Sequence, residues 1–140
     1  MLELYKKLIA EHSKCVFNLG KPLAITASKR GWNRMCGDEI FIYCAGQDDA
    51  MEIWYECKGC ALCKASCAIL AKTQSLNSRS KIQETMDKFF CLDESLADPI
   101  RTLLTAKNFP ARLKFVTLAW QTLKECLQQN SKQELYVTTE

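Results

Sequence analysis

Four of the nine cysteines of this chain lie in one short segment, Cys57-x2-Cys60-x2-Cys63-x3-Cys67. Closely spaced thiolates are ligands for zinc and for iron–sulfur clusters. Cys63 and Cys67 are four residues apart, so a helix would place both on one face. The segment predicts a metal or sulfur site, while the alternative for each helical cysteine is a small apolar packing residue.

Cys60 follows Gly59 at the expected beginning of a helix. Unpaired N–H groups and the positive end of the helix dipole stabilise a thiolate there, so we expect a depressed pKa for Cys60. A thiolate is both the better ligand and the better nucleophile. Cys60 is therefore a candidate for catalytic sulfur chemistry as well as for metal binding.

A second motif, Cys36-Gly37-Asp38, precedes a predicted strand. Gly37 permits a tight backbone turn that lets Cys36 and Asp38 point toward one place. A thiolate and a carboxylate would supply half of a tetrahedral zinc or cluster site. The plainer alternative is that Asp38 only accepts a hydrogen bond from a backbone N–H group in a turn.

The elements that must position these residues follow from apolar spacing and turn residues. Helices are predicted at residues 2–17, 60–73, 81–90, 96–105 and 110–129, and strands at 39–45 and 51–57 as an antiparallel hairpin. Residues 23–34 are expected to be a polar connection with a hinge at Gly31. One α+β domain, residues 1–130, should result, with a small antiparallel sheet, several packed helices, a long C-terminal helix and a polar tail at 131–140.

Composition narrows the class of protein. A net charge of +3 from interspersed residues gives no concentrated basic face for nucleic acid. No apolar run has the roughly 20 residues of a membrane helix, and the first residues lack the apolar core of a secretory signal. We expect a cytoplasmic protein with reduced thiols, no membrane association and no nucleic-acid partner.

Three short blocks stand in order along the chain: Cys36-Gly37-Asp38-Glu39-Ile40, Gly59-Cys60 with Ala65-Ser66 after the hairpin, and Phe109-Pro110-Ala111-Arg112-Leu113-Lys114-Phe115-Val116-Thr117-Leu118-Ala119-Trp120. Together they resemble the U-type iron–sulfur scaffold family of IscU and NifU N-terminal domains. The last block is similar to the SufU-like branch of that family. The order of the blocks fits from about residue 1 to 127.

This resemblance implies a scaffold that assembles an iron–sulfur cluster, or a sulfur acceptor that works with a cysteine desulfurase and other iron–sulfur assembly proteins. Family members hold zinc or a cluster through three cysteines and an aspartate. Cys36, Asp38 and Cys60 match three of these ligands, and Cys36 matches the sulfur acceptor of the SufU-like branch. Phe115 stands at the position of the third cysteine, and Arg34 stands where the family usually has proline.

The lost ligand leaves three interpretations. The site is rebuilt, with Cys63 or Cys57 as the new ligand; or it keeps three ligands and stays open to substrate or sulfur; or the chain is a divergent paralogue that binds the assembly machinery without carrying cargo. The candidate metal ligands are accordingly Cys36, Asp38 and Cys60, with Cys63 as the candidate fourth and Cys57 and Cys67 as further candidates.

Two more alternatives concern function. A zinc-bound sulfur-transfer protein, with a transferase-like role, would use the same residues. Cys57, Cys60, Cys63 and Cys67 could instead hold an electron-transfer cluster, since their spacing matches bacterial ferredoxins except for Ala68 in place of proline. Helical placement of Cys63 and Cys67 argues against this ferredoxin-like cluster.

The remaining candidates have structural interpretations. Four isolated cysteines are expected to be packing residues: Cys15, Cys44, Cys91 and Cys126. His12, the only histidine, is expected to be solvated, which leaves no partner for a histidine-based general acid–base enzyme. Three tryptophans should be core or near-core anchors: Trp32, Trp54 and Trp120.

Overall fold

A computed structural model describes residues 2–129 of the chain, so the tail predicted at 131–140 lies outside the described residues. The elements are α1 (Leu2–His12), β1 (Ile25–Asn33), β2 (Asp38–Gln47), β3 (Ala50–Lys58), α2 (Ala61–Gln74), α3 (Arg79–Phe90), α4 (Ile100–Leu103), a 3₁₀ helix (Leu104–Asn108) and α5 (Pro110–Leu127). The predicted α+β class, with a small antiparallel sheet and a long last helix, is confirmed.

The strands form one antiparallel sheet in the order β1-β2-β3. The predicted hairpin is the β2–β3 pair, in which Tyr43 lies opposite Trp54. β1 was expected to be a connection, and that prediction is wrong. Its sequence lacks clear alternation because only Ser28 and Gly31 of this edge strand are buried.

Two predicted helices differ from the structure. α1 ends at His12 and not at Phe17, because the chain turns there and runs beside β3, where Gly20 donates to the Tyr55 carbonyl at 2.7 Å. The helix expected at residues 96–105 shortens to α4 and continues as the 3₁₀ helix. Pro110 occupies the first turn of α5, where its missing N–H group needs no partner.

Helices α2 and α5 pack on each other and on the sheet, and these contacts form the centre of the core. Trp120 of α5 is fully buried and stacks on Phe89 of α3, with ring centroids 4.3 Å apart. Ser66 of α2 donates to the Val116 carbonyl at 2.6 Å and accepts from Trp120 Nε1 at 3.2 Å. This polar link fixes α2, which carries several of the candidate cysteines, against α5.

The other two tryptophans, Trp32 and Trp54, are only half-buried. The guanidinium groups of Arg30 and Arg34 lie over the Trp32 ring at 4.6 and 5.2 Å. Both rings are therefore near-core rather than central. Among the helices within residues 2–129, none combines the length and the hydropathy that crossing a membrane requires.

Candidate metal and sulfur site

Asp38 begins β2 directly after the turn that follows β1, and it is buried with 3% of its surface exposed. Gly37 makes this turn possible, because its φ of +74° is a backbone conformation that residues with a Cβ rarely adopt. A buried carboxylate needs hydrogen-bond partners. The partner of Asp38 is the beginning of α2.

Cys60 is the N-cap residue of α2. Its backbone N–H donates to Asp38 Oδ1 at 3.0 Å, and its Sγ lies 3.8 Å from Asp38 Oδ2. The same Sγ accepts the N–H of Cys63 at 3.4 Å. The carboxylate thus caps a backbone N–H, as in the plainer sequence interpretation, and also faces a thiol.

Gly59 allows this approach. A Cβ at position 59 would lie 2.6 Å from Asp38 Oδ1, closer than non-bonded atoms come. The contact between Asp38 and Cys60 therefore depends on a glycine between β3 and α2. The sequence pattern alone offered Gly59 only as a turn residue.

The expectation of a depressed pKa for Cys60 is wrong. Burial raises the pKa of this thiol, and the neighbouring Asp38 carboxylate raises it further, while the N–H groups of Cys63 and Leu62 act in the opposite direction. The helix terminus acts as expected, but the low-dielectric surroundings and the negative charge outweigh it. The Cys60 thiol is therefore harder to ionise than its position at a helix terminus suggests.

Cys36 lies in the turn between β1 and β2, and its side chain is exposed. Its N–H donates to the Asn33 carbonyl at 3.3 Å. The structure thus brings Asp38 and Cys60 together and leaves the Cys36 thiol at the surface of the loop that leads to Asp38. The sulfur-acceptor role of Cys36 stays a prediction.

The other three cysteines of the segment converge. Within residues 2–129, the one set of three potential ligands whose donor atoms all lie within 4.8 Å of one another is Cys57, Cys63 and Cys67. We call this set the three-thiol cluster. Cys63 and Cys67 share a face of α2, as predicted, and Cys57 reaches them from the end of β3 with 3.7 Å between the Sγ atoms of Cys57 and Cys63. Cys63 and Cys67 are fully buried and Cys57 is half-buried.

The three thiols of the cluster differ in acidity. Hydrogen bonds from the Cys63 and Cys67 thiols lower the pKa of Cys57, and the Lys64 ammonium adds a smaller effect in the same direction. The hydrogen bonds to Cys57 in turn raise the pKa of Cys63 and of the fully buried Cys67. Cys57 is therefore the most acidic thiol of the three.

An apolar groove of about 490 Å³ lies beside Cys60. Its walls come from α1, the first turn of α2 and α5, and they include Tyr5, Leu62, Arg112 and Phe115. Phe115 is half-buried there. Tyr5 and Arg112 were not recognised from the sequence, because no local pattern reveals that α1 and α5 meet next to Cys60.

The isolated cysteines divide into two kinds. Cys44 and Cys126 are buried with their Sγ atoms 3.6 Å apart, and Cys15 is half-buried against the core, as packing residues should be. Cys91 is exposed at the end of α3, so its predicted packing role is wrong. The Nδ1 atom of half-buried His12 lies 2.9 Å from the Leu8 carbonyl oxygen within α1.

Comparison with known proteins gives relatives over nearly the whole chain. No protein-family model matches it. It is 29% identical over 136 residues to the iron–sulfur cluster assembly scaffold protein IscU of Thermotoga maritima, covering 92% of this chain and 96% of the relative. It is 28% identical over 133 residues to the zinc-dependent sulfurtransferase SufU of Bacillus subtilis, covering 87% and 88% of the two chains.

The fold has a solved counterpart. The crystal structure of an iron–sulfur cluster assembly scaffold protein for the SUF system, from Fervidobacterium islandicum, matches with a TM-score of 0.82 and 27% identity. The match covers 90% of this chain and 98% of that protein. The arrangement of three strands and five helices is therefore one that such scaffold proteins share.

Proposed function

We propose, from the support that these relatives give to the U-type iron–sulfur scaffold family, that this chain works in iron–sulfur cluster assembly. It would act as a scaffold or as the acceptor of sulfur from a cysteine desulfurase. The observation that carries the proposal is the contact of Asp38 with Cys60 at the beginning of α2, next to the loop that bears Cys36. The three residues that match the family's ligand set thus belong to the turn before β2, the beginning of β2 and the beginning of α2.

The donors suit a metal ion or a nascent cluster, which we treat as cargo. Asp38 supplies a hard oxygen and Cys60 a soft sulfur, and both lie at a helix terminus whose N–H groups tolerate added negative charge. Cys36 would complete the set from the loop that immediately precedes Asp38. The exposed position of Cys36 also suits a thiol that must meet a second protein.

Phe115 determines whether the chain can supply a fourth ligand to the metal. Its ring lines the groove beside Cys60, where the family resemblance expects another cysteine. A phenyl ring does not bind a metal ion, so a centre built on Cys36, Asp38 and Cys60 has three protein ligands. The fourth position would face the apolar groove and stay open to sulfur.

Sulfur transfer to Cys36 balances as a thiol exchange. The Cys36 thiolate attacks the outer sulfur of the desulfurase persulfide, the S–S bond of that persulfide breaks, and the desulfurase cysteine leaves as a thiolate. Cys36 becomes the persulfide, and no external oxidant or reductant is consumed. The partner would be a cysteine desulfurase, with other iron–sulfur assembly proteins downstream.

Two anaerobic assays test this function. One measures persulfide on the chain after incubation with a desulfurase and free cysteine, and the other measures acid-labile sulfide after Fe²⁺ and a thiol reductant are added. The wild type and a Cys91→Ser control, which changes an exposed thiol distant in sequence from the site, should load in both. Cys36→Ala should lose the persulfide, and Cys60→Ala should lose the acid-labile sulfide. A Cys36→Ala/Cys60→Ala double variant that keeps full persulfide and full acid-labile sulfide would rule out the assignment.

One alternative function has a specific observation in its favour. Because Phe115 takes the place of a ligand, the chain could be a paralogue that binds the assembly machinery without cargo. Desulfurase binding of equal strength by the wild type and by the double variant, with neither metal nor persulfide on the wild type, would support that alternative.

A further inference from the structure

We propose that Cys57, Cys63 and Cys67 form a second metal site, separate from Asp38 and Cys60, for one thiophilic ion of the Zn²⁺ class. This inference goes beyond the proposed function, because the U-type resemblance assigns no ligand to these three positions. It stands on the convergence of three sulfurs from two elements within 4.8 Å of one another.

The spacing of the sulfurs suits a metal. With a metal–sulfur bond of about 2.3 Å, tetrahedral coordination places sulfurs about 3.8 Å apart and trigonal coordination about 4.0 Å apart. The Sγ atoms of Cys57 and Cys63 are 3.7 Å apart. An ion could therefore enter with small side-chain adjustments and without movement of β3 or α2.

The elements that supply the sulfurs are rigid. Cys63 and Cys67 occupy successive turns of α2, a helix that the Ser66 hydrogen bonds tie to α5. Cys57 lies in β3, which pairs with β2 up to Lys58. Ligands on a helix and a strand hold their geometry better than ligands on loops, which favours a metal site over a chance contact.

Net charge decides the class of ion. Each thiol releases its proton on binding, so three thiolates with Zn²⁺ leave a net charge of −1, whereas three thiolates with Cu⁺ leave −2. Cys63 and Cys67 have no exposed surface, and a larger uncompensated charge costs more in such surroundings. The divalent ion is therefore favoured, although thiolates bind both ions.

The fourth coordination position would face a small cleft. Cys57 lines a cleft of about 250 Å³ together with Cys15, Lys14 and Lys64. The two lysines would offset the negative charge of the loaded site. Zinc sites with three protein ligands and an open fourth position are the kind that bind an exchangeable ligand.

The two sites open to different surfaces. The groove beside Cys60 is lined by α1, α5 and the first turn of α2, and it shares no lining residue with the cleft beside Cys57. Cys60 Sγ instead contacts Asp38 and the Cys63 N–H. A metal ion in the three-thiol cluster would therefore not use the ligands of the proposed cargo site.

Cobalt titration of the metal-free full chain under reducing, anaerobic conditions tests the second site. Co²⁺ reports thiolate ligation through sulfur-to-metal charge-transfer absorption, and Zn²⁺ and Cu⁺ should displace it competitively. The Cys36→Ser/Cys60→Ser variant should keep a saturable, one-equivalent cobalt spectrum with cysteine character. In that background, a further Cys57→Ser change of the half-buried thiol should raise the Kd for Zn²⁺ by at least tenfold, and a further Cys91→Ser change should not alter it.

Two results would overturn the proposal. One is loss of the cobalt–thiolate spectrum in the Cys36→Ser/Cys60→Ser variant, because the metal would then need the other site. The second is an unchanged Kd for Zn²⁺ when Cys57→Ser is added to the Cys36→Ser/Cys60→Ser variant. Circular dichroism of each variant shows whether it is folded, and alkylation followed by peptide mass spectrometry provides an independent readout. Zn²⁺ should slow the modification of Cys57 in the Cys36→Ser/Cys60→Ser background, and unchanged modification would also reject the site.

The test of the three-thiol cluster can succeed or fail independently of the test of the proposed function. Persulfide formation on Cys36 can fail while Zn²⁺ still binds the three-thiol cluster, and the reverse can also occur. Preferential displacement of cobalt by Cu⁺ over Zn²⁺ would reject the charge argument for a divalent ion.

Discussion

Asp38 Oδ1 accepts the backbone N–H of Cys60 at 3.0 Å, while its second oxygen lies 3.8 Å from the Cys60 sulfur. One carboxylate thus joins the beginning of β2 to the beginning of α2. This contact brings Asp38 of the first motif against Cys60 of the second. Burial, and then the same carboxylate, raise the pKa of the Cys60 thiol despite its position at a helix terminus.

Replacement of that carboxylate should make Cys60 more acidic. In Asp38→Asn the side-chain oxygen can still accept the Cys60 N–H, but the negative charge that raises the pKa of the thiol is gone. The pH at which Cys60 becomes half-reactive toward iodoacetamide should therefore fall in the metal-free variant. Peptide mass spectrometry would follow Cys60 alone, with Asp49→Asn as a control, and an unchanged or higher midpoint would contradict the assigned cause.

Gly59→Ala should damage the same contact through sterics. The new Cβ would come within 2.6 Å of Asp38 Oδ1, and the buried carboxylate could move only by losing the Cys60 N–H. We expect a loss of about 1–3 kcal/mol in the free energy of unfolding. Urea denaturation measures it, with exposed Lys58→Ala as the control. Equal stability of the two variants would show that the turn relaxes without cost.

Ser66→Ala should loosen the packing of α2 on α5. The hydroxyl is fully buried, donates to the Val116 carbonyl and accepts the Trp120 indole N–H. Its removal leaves two buried polar groups without this partner, which costs about 1–3 kcal/mol. Urea denaturation should show the loss, whereas Ser80→Ala on the exposed side of α3 should change stability by less than about 0.5 kcal/mol. A near-wild-type midpoint for Ser66→Ala would contradict this role.

Phe115→Cys should strengthen metal binding at the proposed cargo site. The residue lines the groove beside Cys60, so a thiol there could add a ligand. We expect the affinity for Zn²⁺ to rise at least tenfold in a background that lacks Cys57. Lys114→Cys, an exposed neighbour on α5, is the matched control. The same affinity in both variants would mean that position 115 does not reach the metal.

Thiol reactivity should follow exposure in the native protein. The three exposed thiols are those of Cys36, Cys60 and Cys91, whereas Cys44 and Cys126 are buried against each other. The hydrogen-bonding contact with Cys44 and then burial raise the pKa of Cys126, which lowers its reactivity further. Alkylation resolved by mass spectrometry should modify the exposed group first, and Cys44 and Cys126 only after unfolding. Fast native modification of either buried thiol would contradict the packing.

Local features of the site were predictable because short-range chemistry determines them. The β-branched and aromatic residues of β2 and β3 specify a hairpin, and the four-residue interval between Cys63 and Cys67 specifies one helical face. The turn at Gly37, with its φ of +74°, follows from the freedom of a residue without a Cβ. Weak local patterns gave two wrong predictions: a connection in place of β1, and a first helix that continues to Phe17.

By itself, the sequence determined the α+β class, the capping position of Cys60 and the resemblance that points to iron–sulfur assembly, since short apolar patterns, a local helix start and short blocks of residue types carry them. Only the tertiary structure decided that Asp38 meets Cys60, that Cys57 joins Cys63 and Cys67, and that Phe115 lies beside Cys60. Packing among β2, β3, α2 and α5 brings together these residues from different elements. The same packing reversed the expected pKa of Cys60, because burial and a carboxylate from another strand outweigh the helix terminus.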